Sequence, residues 1–580
     1  MTKLNYLIIS SLLLSACAHT PPKPVIVATP VQETTPPAAT EPPPPPEPPL
    51  PNVNLSEDLL YEILVSEVAQ QRGYADLALE GMTDAASQTR DPRLARRAAQ
   101  FALESGNTQR GIAAFRLWEE LEPTSVVPAR LLSSTLLRGG KIEEATVEFS
   151  KVLAQDSTHA DQIFLQIEPL ALAYPDKVAG LKLMQTLAQP YPQLAEAHWS
   201  VAQLARAAGD MTLALSSTQQ ARTLRPDWSR PVILEAELRQ KQSPQAGLDV
   251  LRDYLKPYPK ARDVRILYAR LLLDQKQYPL ARAEFQQLAT EVPDNAELAF
   301  AIALISLQMN DLKGAEAQLQ QALAAGKKDP ATVHYYLAQL SEANKTPDDA
   351  ITHYREVNEG EYHFNAQMRI AYLLSKQNKL VAARDHLHQI KSESNQQRVQ
   401  ILLVEAQLLR DAKQVPEAHQ ILAQQLAKLP NDPDLLYETA MLADTLGKYE
   451  ESEKHLRKLM QLQPKRAHAY NALGYSLLDR NLRIPEAMAL VEKANQLAPD
   501  DIAIMDSMGW GYYRSGKLEE SIKWLKRAFA SNPDPEIASH LGEVLWAHGD
   551  KEAAQKVWQD SLKINPNNAL LQAVMKKFNP

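Results

Sequence analysis

The side chains that could do chemistry in this sequence are concentrated towards its C-terminal end, and their types favour recognition over catalysis. Within the nine residues that end at Arg514, the chain places Asp506, Trp510 and Tyr513 at helical spacing. Side chains three or four residues apart lie on one face of a helix. Trp, Tyr and Arg are also the residue types that carry most binding energy at protein interfaces. The sequence therefore predicts a protein-binding surface in this region.

The motifs that usually mark an active site are missing. The sequence has no Gly-rich phosphate loop, no G-x-S-x-G elbow and no H-E-x-x-H pair. Its only cysteine is Cys17, which excludes a disulfide within the chain and a metal site built on cysteines. His386 and His388 are two residues apart on a predicted helix and face different directions, and we interpret the thirteen histidines as surface residues. We expect a protein that is not an enzyme and has no cofactor.

Composition narrows the fold class and the partners. Hydrophobic residues make up 45% of the chain and charged residues 23%, which suits a helical protein, whereas the 19 glycines and 6% aromatics argue against an all-β fold. The net charge of -8 makes nucleic acid an unfavourable partner.

Prolines mark a repeat in the C-terminal part of the sequence. They recur at intervals of 33 to 35 residues, at Pro430, Pro464, Pro499, Pro533 and Pro566. Each of the last three intervals carries two predicted helices, with a small residue in each: Gly474 with Ala487, Gly509 with Ser521, and Gly542 with Ala554. Small residues let two helix backbones approach, and a proline cannot continue the second helix. This pattern is typical of the tetratricopeptide repeat.

The same period extends over most of the chain. Residues 55–566 divide into about fifteen units of 34 residues, so we predict an all-α solenoid superhelix of helix–turn–helix repeats. Residues 567–580 are predicted to form a C-terminal capping helix. Residues 159–192 match the pattern less well, because Pro169 and Pro175 fall where the first helix should end, and we expect a shortened or kinked helix there.

The resemblance to tetratricopeptide arrays also refines the predicted binding surface. In such arrays the first helix of each unit lines the inner surface, through positions three before, one after and four after its small residue. Residues at or beside those positions near Gly474, Gly509 and Gly542 give the candidates Asn471, Tyr475, Asp506, Trp510, Tyr513, Arg514, Glu543 and Trp546. The alternative is that one or two of the aromatic residues belong to the core of the repeat junction.

The N-terminal residues predict export and lipidation. Lys3 gives a positive start, and the apolar run from Leu4 to Ala16 is too short to span a bilayer. Residues 1–16 are therefore predicted to be a signal peptide. The sequence Leu14-Ser15-Ala16-Cys17 resembles a bacterial lipobox, which implies cleavage before Cys17 and lipid attached to its sulfur. The alternative is an ordinary signal peptide with a chance cysteine. The next residue is Ala18, not the aspartate that resembles the inner-membrane retention signal of many Gram-negative lipoproteins. The resemblance therefore implies an outer-membrane location with the body in the periplasm.

A proline-rich segment separates the predicted anchor from the repeats. Residues 17–54 are predicted to form this segment, and they contain fourteen prolines between positions 21 and 51, including five in a row from Pro42 to Pro46. Such a composition favours a disordered, extended linker. We interpret it as a spacer, and the alternative is a docking site for proline-binding domains.

Two stretches carry a more specific resemblance. NALGYSLLDR with DSMGWGYYRSGKLEESIKWLKRA near the end, and TRDPRLARRA near the start, together with the lipobox, resemble proteobacterial outer-membrane tetratricopeptide lipoproteins. That family includes the binding partner of a periplasmic carboxyl-terminal processing protease. The resemblance implies an adaptor that binds this protease and helps deliver substrates such as peptidoglycan hydrolases. The alternative is a scaffold for polysaccharide secretion or outer-membrane assembly.

Overall fold

The computed structural model describes residues 51–564 and 566–578, and within these ranges it contains helices and no strand. The predicted signal peptide, Cys17 and all but the last residues of the proline-rich segment lie outside the described residues. No helix in the described part of the chain is both long enough and apolar enough to cross a membrane. The chain divides into two compact bodies, Met1–Lys327 and Lys328–Pro580.

The first body contains sixteen described α-helices and a 3-10 turn at Ser157–His159. The helices are α1 (Glu57–Gln71), α2 (Ala75–Thr89), α3 (Pro92–Ser105), α4 (Thr108–Leu121), α5 (Val126–Arg138), α6 (Ile142–Gln155), α7 (Ala160–Ala173), α8 (Lys177–Ala188), α9 (Ala195–Ala208), α10 (Met211–Leu224), α11 (Ser229–Gln240), α12 (Pro244–Leu255), α13 (Arg262–Asp274), α14 (Tyr278–Glu291), α15 (Ala296–Gln308) and α16 (Leu312–Ala324).

The second body contains fifteen described α-helices. They are α17 (Pro330–Ala343), α18 (Pro347–Arg355), α19 (His363–Lys376), α20 (Leu380–Gln389), α21 (Asn395–Asp411), α22 (Val415–Lys428), α23 (Pro433–Thr445), α24 (Tyr449–Leu462), α25 (Ala467–Asp479), α26 (Ile484–Leu497), α27 (Ile502–Arg514), α28 (Leu518–Ser531), α29 (Pro535–His548), α30 (Lys551–Ile564) and α31 (Ala569–Phe578).

These helices form fifteen consecutive pairs and one final helix, so the predicted all-α repeat fold of about fifteen units is confirmed. We call the odd-numbered helix of each pair the A helix and the even-numbered one the B helix. The two helices of a pair pack against each other, and an A helix also packs against the A helix of the following unit, as α25 does on α27 and α27 on α29.

The small residues of the repeat lie where the A and B helices come closest. A Cβ added to Gly509 would lie 2.5 Å from Leu525 Cγ, and one added to Gly474 would lie 2.6 Å from Val491 Cγ2. Both distances are far below van der Waals contact, so only glycine fits there. Because the A and B helices are this close, the Ser521 hydroxyl donates a hydrogen bond to the carbonyl oxygen of Gly509 at 2.7 Å. The predicted reason for small residues at these positions is therefore confirmed.

The prediction of a shortened helix near Pro169 is wrong. Helix α7 spans 14 residues and continues past Pro169 to Ala173. The proline removes one backbone hydrogen bond, but Ile167 and Ala171 on either side of it are buried in the core. Burial of those side chains holds the helix together across the missing bond.

The last helix covers the end of the second body. Leu571 of α31 is fully buried, and the ring of Phe578 stacks on the buried Trp558 with centroids 5.7 Å apart. At the start of the first body, α1 instead leaves Leu60, Tyr61 and Leu64 exposed. The C-terminal end of the repeats therefore has a hydrophobic cover built from this chain.

Candidate protein-binding groove

A groove of about 780 Å³ runs across four successive A helices of the second body, α23, α25, α27 and α29. We call it the A-helix groove. Its lining mixes aromatic, amide and acidic side chains, including Tyr437, Asp444, Asn471, Tyr475, Asp506 and Glu536. Their positions follow from the repeat. Residues three before and one after a small residue lie on one face, and because successive A helices pack side by side, those faces form a continuous surface.

A buried histidine connects three of these helices. His540 of α29 places its Nδ1 2.9 Å from Asp506 Oδ2 of α27, and its Nε2 lies 3.4 Å from the Tyr475 hydroxyl of α25. Tyr475 donates its hydroxyl hydrogen to Glu536 Oε1 at 2.9 Å. A histidine that donates from both nitrogens would satisfy Asp506 and the Tyr475 oxygen together. The network thus fixes the relative positions of α25, α27 and α29 at the floor of the groove.

The electrostatics of this network favour a charged histidine. Burial disfavours the charged imidazolium, but the hydrogen bond to Asp506 and the negative charges of Asp506, Glu536 and Asp479 outweigh it and raise the pKa of His540. Burial also raises the pKa of Tyr475, and Glu536 acts in the same direction. Tyr475 therefore stays a neutral hydrogen-bond donor at physiological pH.

The other five predicted residues lie on α27 and α29, outside the groove lining. Trp510 stacks on His540 with ring centroids 4.2 Å apart, and the Arg514 guanidinium lies 4.7 Å from the Trp510 ring centroid. Tyr513 contacts Trp510 at 5.1 Å between centroids. Further towards the C-terminus, Trp546 stacks on Trp558 at 6.0 Å. The remaining member of the five, Glu543, has its carboxylate 3.5 Å from the Tyr513 hydroxyl and 3.4 Å from Lys577 Nζ.

The structure therefore separates the eight predicted residues into two groups. Asn471, Tyr475 and Asp506 line the groove, whereas Trp510, Tyr513, Arg514, Glu543 and Trp546 lie outside its lining. Trp510 is 4% exposed and Asp506 is 6% exposed, so these two side chains hold helices together as they stand. For Trp510, this is the alternative in which an aromatic residue belongs to the repeat junction. Partner binding by the eight residues stays a prediction.

The sequence reasoning missed His540. Its interpretation of all histidines as surface residues is wrong, since His540 is 7% exposed and His419 is 5% exposed. The signal was a single histidine inside the apolar run Ile537 to Leu545, 34 residues after Asp506. That separation equals one repeat, which brings the two side chains face to face on neighbouring A helices. Within residues 51–564 and 566–578, no group of three or more potential ligands is arranged to hold a metal ion.

Comparison with known proteins agrees with the architecture. Models described as tetratricopeptide repeat match residues 236–296, 272–340, 437–502 and 507–569. A TPR repeat-containing protein of Pseudomonas aeruginosa is 34% identical over 494 residues, which cover 84% of this chain and 83% of that protein. The chain belongs to the tetratricopeptide-repeat family. Two of the matched ranges, 437–502 and 507–569, contain most of the A-helix groove of this tetratricopeptide-repeat protein.

More distant similarities are also found. Cellulose synthase operon protein C of Pseudomonas fluorescens is 26% identical over 489 residues, which cover 77% of this tetratricopeptide-repeat chain but only 36% of that protein. A solved tetratricopeptide repeat protein from Parabacteroides merdae is 16% identical and covers 49% of this chain and 99% of its own, with a TM-score of 0.32. That score is too low to support an argument.

Proposed function

We propose that this tetratricopeptide-repeat protein is a non-catalytic adaptor, anchored in the outer membrane through lipid on Cys17. In this proposal it binds a periplasmic carboxyl-terminal processing protease and helps deliver substrates such as peptidoglycan hydrolases. The coarser part, a repeat scaffold for protein binding, follows from the family. The protease, the anchor and the location are the proposal.

The A-helix groove is the observation that best supports a protein-binding role. Four helices packed side by side, with axes roughly 9 Å apart, give a surface about 27 Å long. An extended segment of about eight residues would span it, at ~3.3 Å per residue. Half-buried Tyr437 and Tyr475 offer aromatic surface along this length, and the polar groups beside them can fix the register of a bound backbone.

An adaptor of this kind would act through proximity. If the protease occupies one part of the repeats and a substrate segment occupies the groove, the second encounter becomes intramolecular and its effective concentration rises. The scaffold then needs no catalytic residue of its own.

The test is capture of the partner through the groove. Ala503 is exposed and lines the groove, so a photo-crosslinking amino acid at this position reports on occupancy without removing a charged side chain. Ala547, an exposed residue that is absent from the lining, provides the matched control position. We expect irradiated cell envelopes to yield crosslinks to the processing protease or its substrates from position 503. Recovery of neither, from position 503 or by affinity purification after chemical crosslinking, would reject the adaptor proposal.

The anchor has its own test. Replacing Cys17 with Ala should leave an unprocessed or mislocalised precursor, because no sulfur remains to accept lipid. Fractionation of membranes by density, with the unchanged chain as the control, measures this. Normal outer-membrane fractionation of the variant would contradict lipidation at Cys17.

A second candidate function has one specific observation in its favour. The similarity to cellulose synthase operon protein C covers 77% of this chain, which supports a scaffold for a polysaccharide secretion complex. Under this alternative, the same crosslinking position should recover synthase or outer-membrane pore subunits in place of a protease. The two proposals therefore predict different proteins in one experiment.

A further inference from the structure

The A-helix groove has an unusual charge balance for a protein surface. Its lining contains six carboxylates, a single histidine, His468, and neither Lys nor Arg. The carboxylates come from α23, α27, α29 and the turns before α27 and α29. They are Asp444, Asp500, Asp501, Asp506, Asp534 and Glu536.

Most of these carboxylates meet neutral donors, which leave the negative charge in place. Asp444 accepts a hydrogen bond from the Ser476 hydroxyl, and Glu536 accepts one from Tyr475. Asp501 accepts from the backbone N–H of Ile504 at 3.0 Å and caps α27.

Cations balance only part of this charge. Asp534 caps α29 through the N–H of Glu536 at 2.8 Å, again a neutral donor. Asp506 pairs with the buried His540, and Asp501 Oδ2 lies 3.8 Å from Nε2 of the exposed His468. Asp500 lies 3.3 Å from Arg527, but its side chain is 91% exposed, and solvent screens such a pair strongly. A net negative potential therefore remains along the groove.

Two further observations point to an extended ligand with hydrogen-bond donors. Within the described residues, no group of three or more acidic or histidine side chains converges closely enough to hold one metal ion, so the charge is spread along the groove. Asn471 Oδ1, on the groove wall, is shielded from solvent and has no hydrogen-bond donor among the described residues. The carboxylates spread along the groove are hydrogen-bond acceptors as well as charges, and they favour a ligand that brings N–H groups.

We propose that the A-helix groove binds an extended, Lys- or Arg-bearing segment of a protein partner. The inference rests on the proposed protein-binding function and specifies the chemistry of what is bound. In a polyproline II segment, which has three residues per turn, cations at every third residue share one face and are spaced by about 9 Å, close to the spacing of neighbouring A helices. The aliphatic stems of such residues can pack on Tyr437 and Tyr475, and their charged ends can face these rings or the carboxylates.

The test uses the full chain purified in detergent and two fluorescein-labelled peptides. One carries Lys at every third position between Gly and Ser residues, and the other carries Glu at the same positions. We expect fluorescence anisotropy to show binding of the Lys peptide that weakens as salt is raised, and no binding of the Glu peptide. Equal binding of both peptides, or binding of neither, would overturn the inference.

A variant then locates the binding. The combined changes D500N, D501N, D534N and E536Q remove four charges, while Asn can still cap the two helices and Gln can still accept from Tyr475. The Asp506 and His540 pair is left intact. We expect affinity for the Lys peptide to fall at least about tenfold, with an unchanged helical circular dichroism spectrum.

The control removes the same number of charges elsewhere in these repeats. Glu492, Glu519, Glu520 and Glu552 are exposed on B helices and lie outside the groove lining. Their replacement by Gln should leave the affinity within about twofold of the unchanged chain. An equal loss in both variants would show that net charge alone attracts the peptide and would overturn the inference.

The peptide-binding experiment and the crosslinking experiment at position 503 can fail independently of each other. Crosslinking at position 503 to a partner, without preference for Lys over Glu peptides, would overturn the ligand chemistry and keep the adaptor. A groove that prefers Lys peptides in a chain that captures neither the protease nor its substrates would support the ligand chemistry and reject that adaptor role.

Discussion

Equivalent positions of the repeat differ in charge between two units of the first body and two units of the second body. In the first body, Arg96 and Arg130 lie three residues before the buried small residues Ala99 and Ser133. In the second body, Asn471 and Asp506 lie three residues before Gly474 and Gly509, the corresponding small residues. In these four units, the side chain at this position is a cation in the first body and neutral or acidic in the second.

The partners of these side chains differ as well. Arg96 binds Glu122 with the shortest N–O distance at 2.5 Å, and Arg130 binds Asp156 at 2.7 Å. Each carboxylate lies 26 residues after its arginine, where the B helix of the same unit ends. The residue 26 positions after Asp506 is Asn532, so no such ion pair is possible there.

The difference shows how one repeat position can serve either structure or recognition. In the first body, an intramolecular carboxylate neutralises the arginine, and the pair connects the two helices of a unit. In the second body Asp506 pairs instead with His540 of the next A helix, whereas the other groove carboxylates have no Lys or Arg partner within the lining and can face a ligand. Two features decide which role the position takes: the sign of the charge, and whether a carboxylate at the end of the B helix of the same unit can pair with it.

The largest effect should come from breaking the buried pair under the groove. Asp506→Ala leaves the His540 imidazole buried without its acceptor, and the free energy of unfolding of the second body should fall by about 3–5 kcal/mol. Hydrogen exchange of the amides of α25, α27 and α29 measures this, because an array of repeats need not unfold in one step. Asp444→Ala, which removes a carboxylate on the same groove with only a serine as donor, is the matched control. Equal protection in both variants would contradict a structural role for the Asp506 and His540 pair.

A smaller effect should appear as a pH dependence of the second body. The raised pKa of His540 means that the folded state holds the proton more tightly than the unfolded chain does. The stabilisation is then fully present below about pH 6.5, the ordinary histidine value, and is lost as pH rises through the folded-state pKa. The groups that set this pKa are Asp506, Glu536 and Asp479.

Hydrogen exchange of α27 and α29 across a pH series, corrected for intrinsic exchange rates, measures this dependence. His540→Gln is the comparison variant, because Gln keeps a donor near Asp506 and does not titrate. A pH dependence that is the same in both chains would show that other groups cause it.

The smallest effect should come from the exposed ion pair of the first body. Arg130→Ala removes a guanidinium that is 39% exposed and can be replaced by water, so thermal unfolding should change little. Arg96→Ala should lower thermal stability more than Arg130→Ala does, because the partner of Arg96 is buried. That partner, Glu122, also accepts a hydrogen bond from Trp118 Nε1 at 2.7 Å. A larger loss for Arg130→Ala than for Asp506→Ala would reverse the comparison between the two bodies.

The sequence was informative wherever the relevant interaction repeats along the chain. The proline spacing and the small residues Gly474 and Gly509 predicted helix pairs and their closest contacts, and the structure agrees. The expectation of a shortened helix failed at Pro169, because the burial of neighbouring residues, which spacing does not report, holds α7 together. Sequence reasoning also failed at His540, whose environment depends on side chains from two other helices.

For the candidate site, the sequence by itself determined which residues share a face of each A helix, because helical periodicity fixes direction within one element. Only the tertiary structure decided that Asn471, Tyr475 and Asp506 line a groove while Trp510 is buried beside it. It also decided that His540 balances Asp506 and that the other groove carboxylates lack Lys or Arg among the lining residues. Charge balance depends on which side chains meet across helices, and that arrangement exists only once the repeats have packed together.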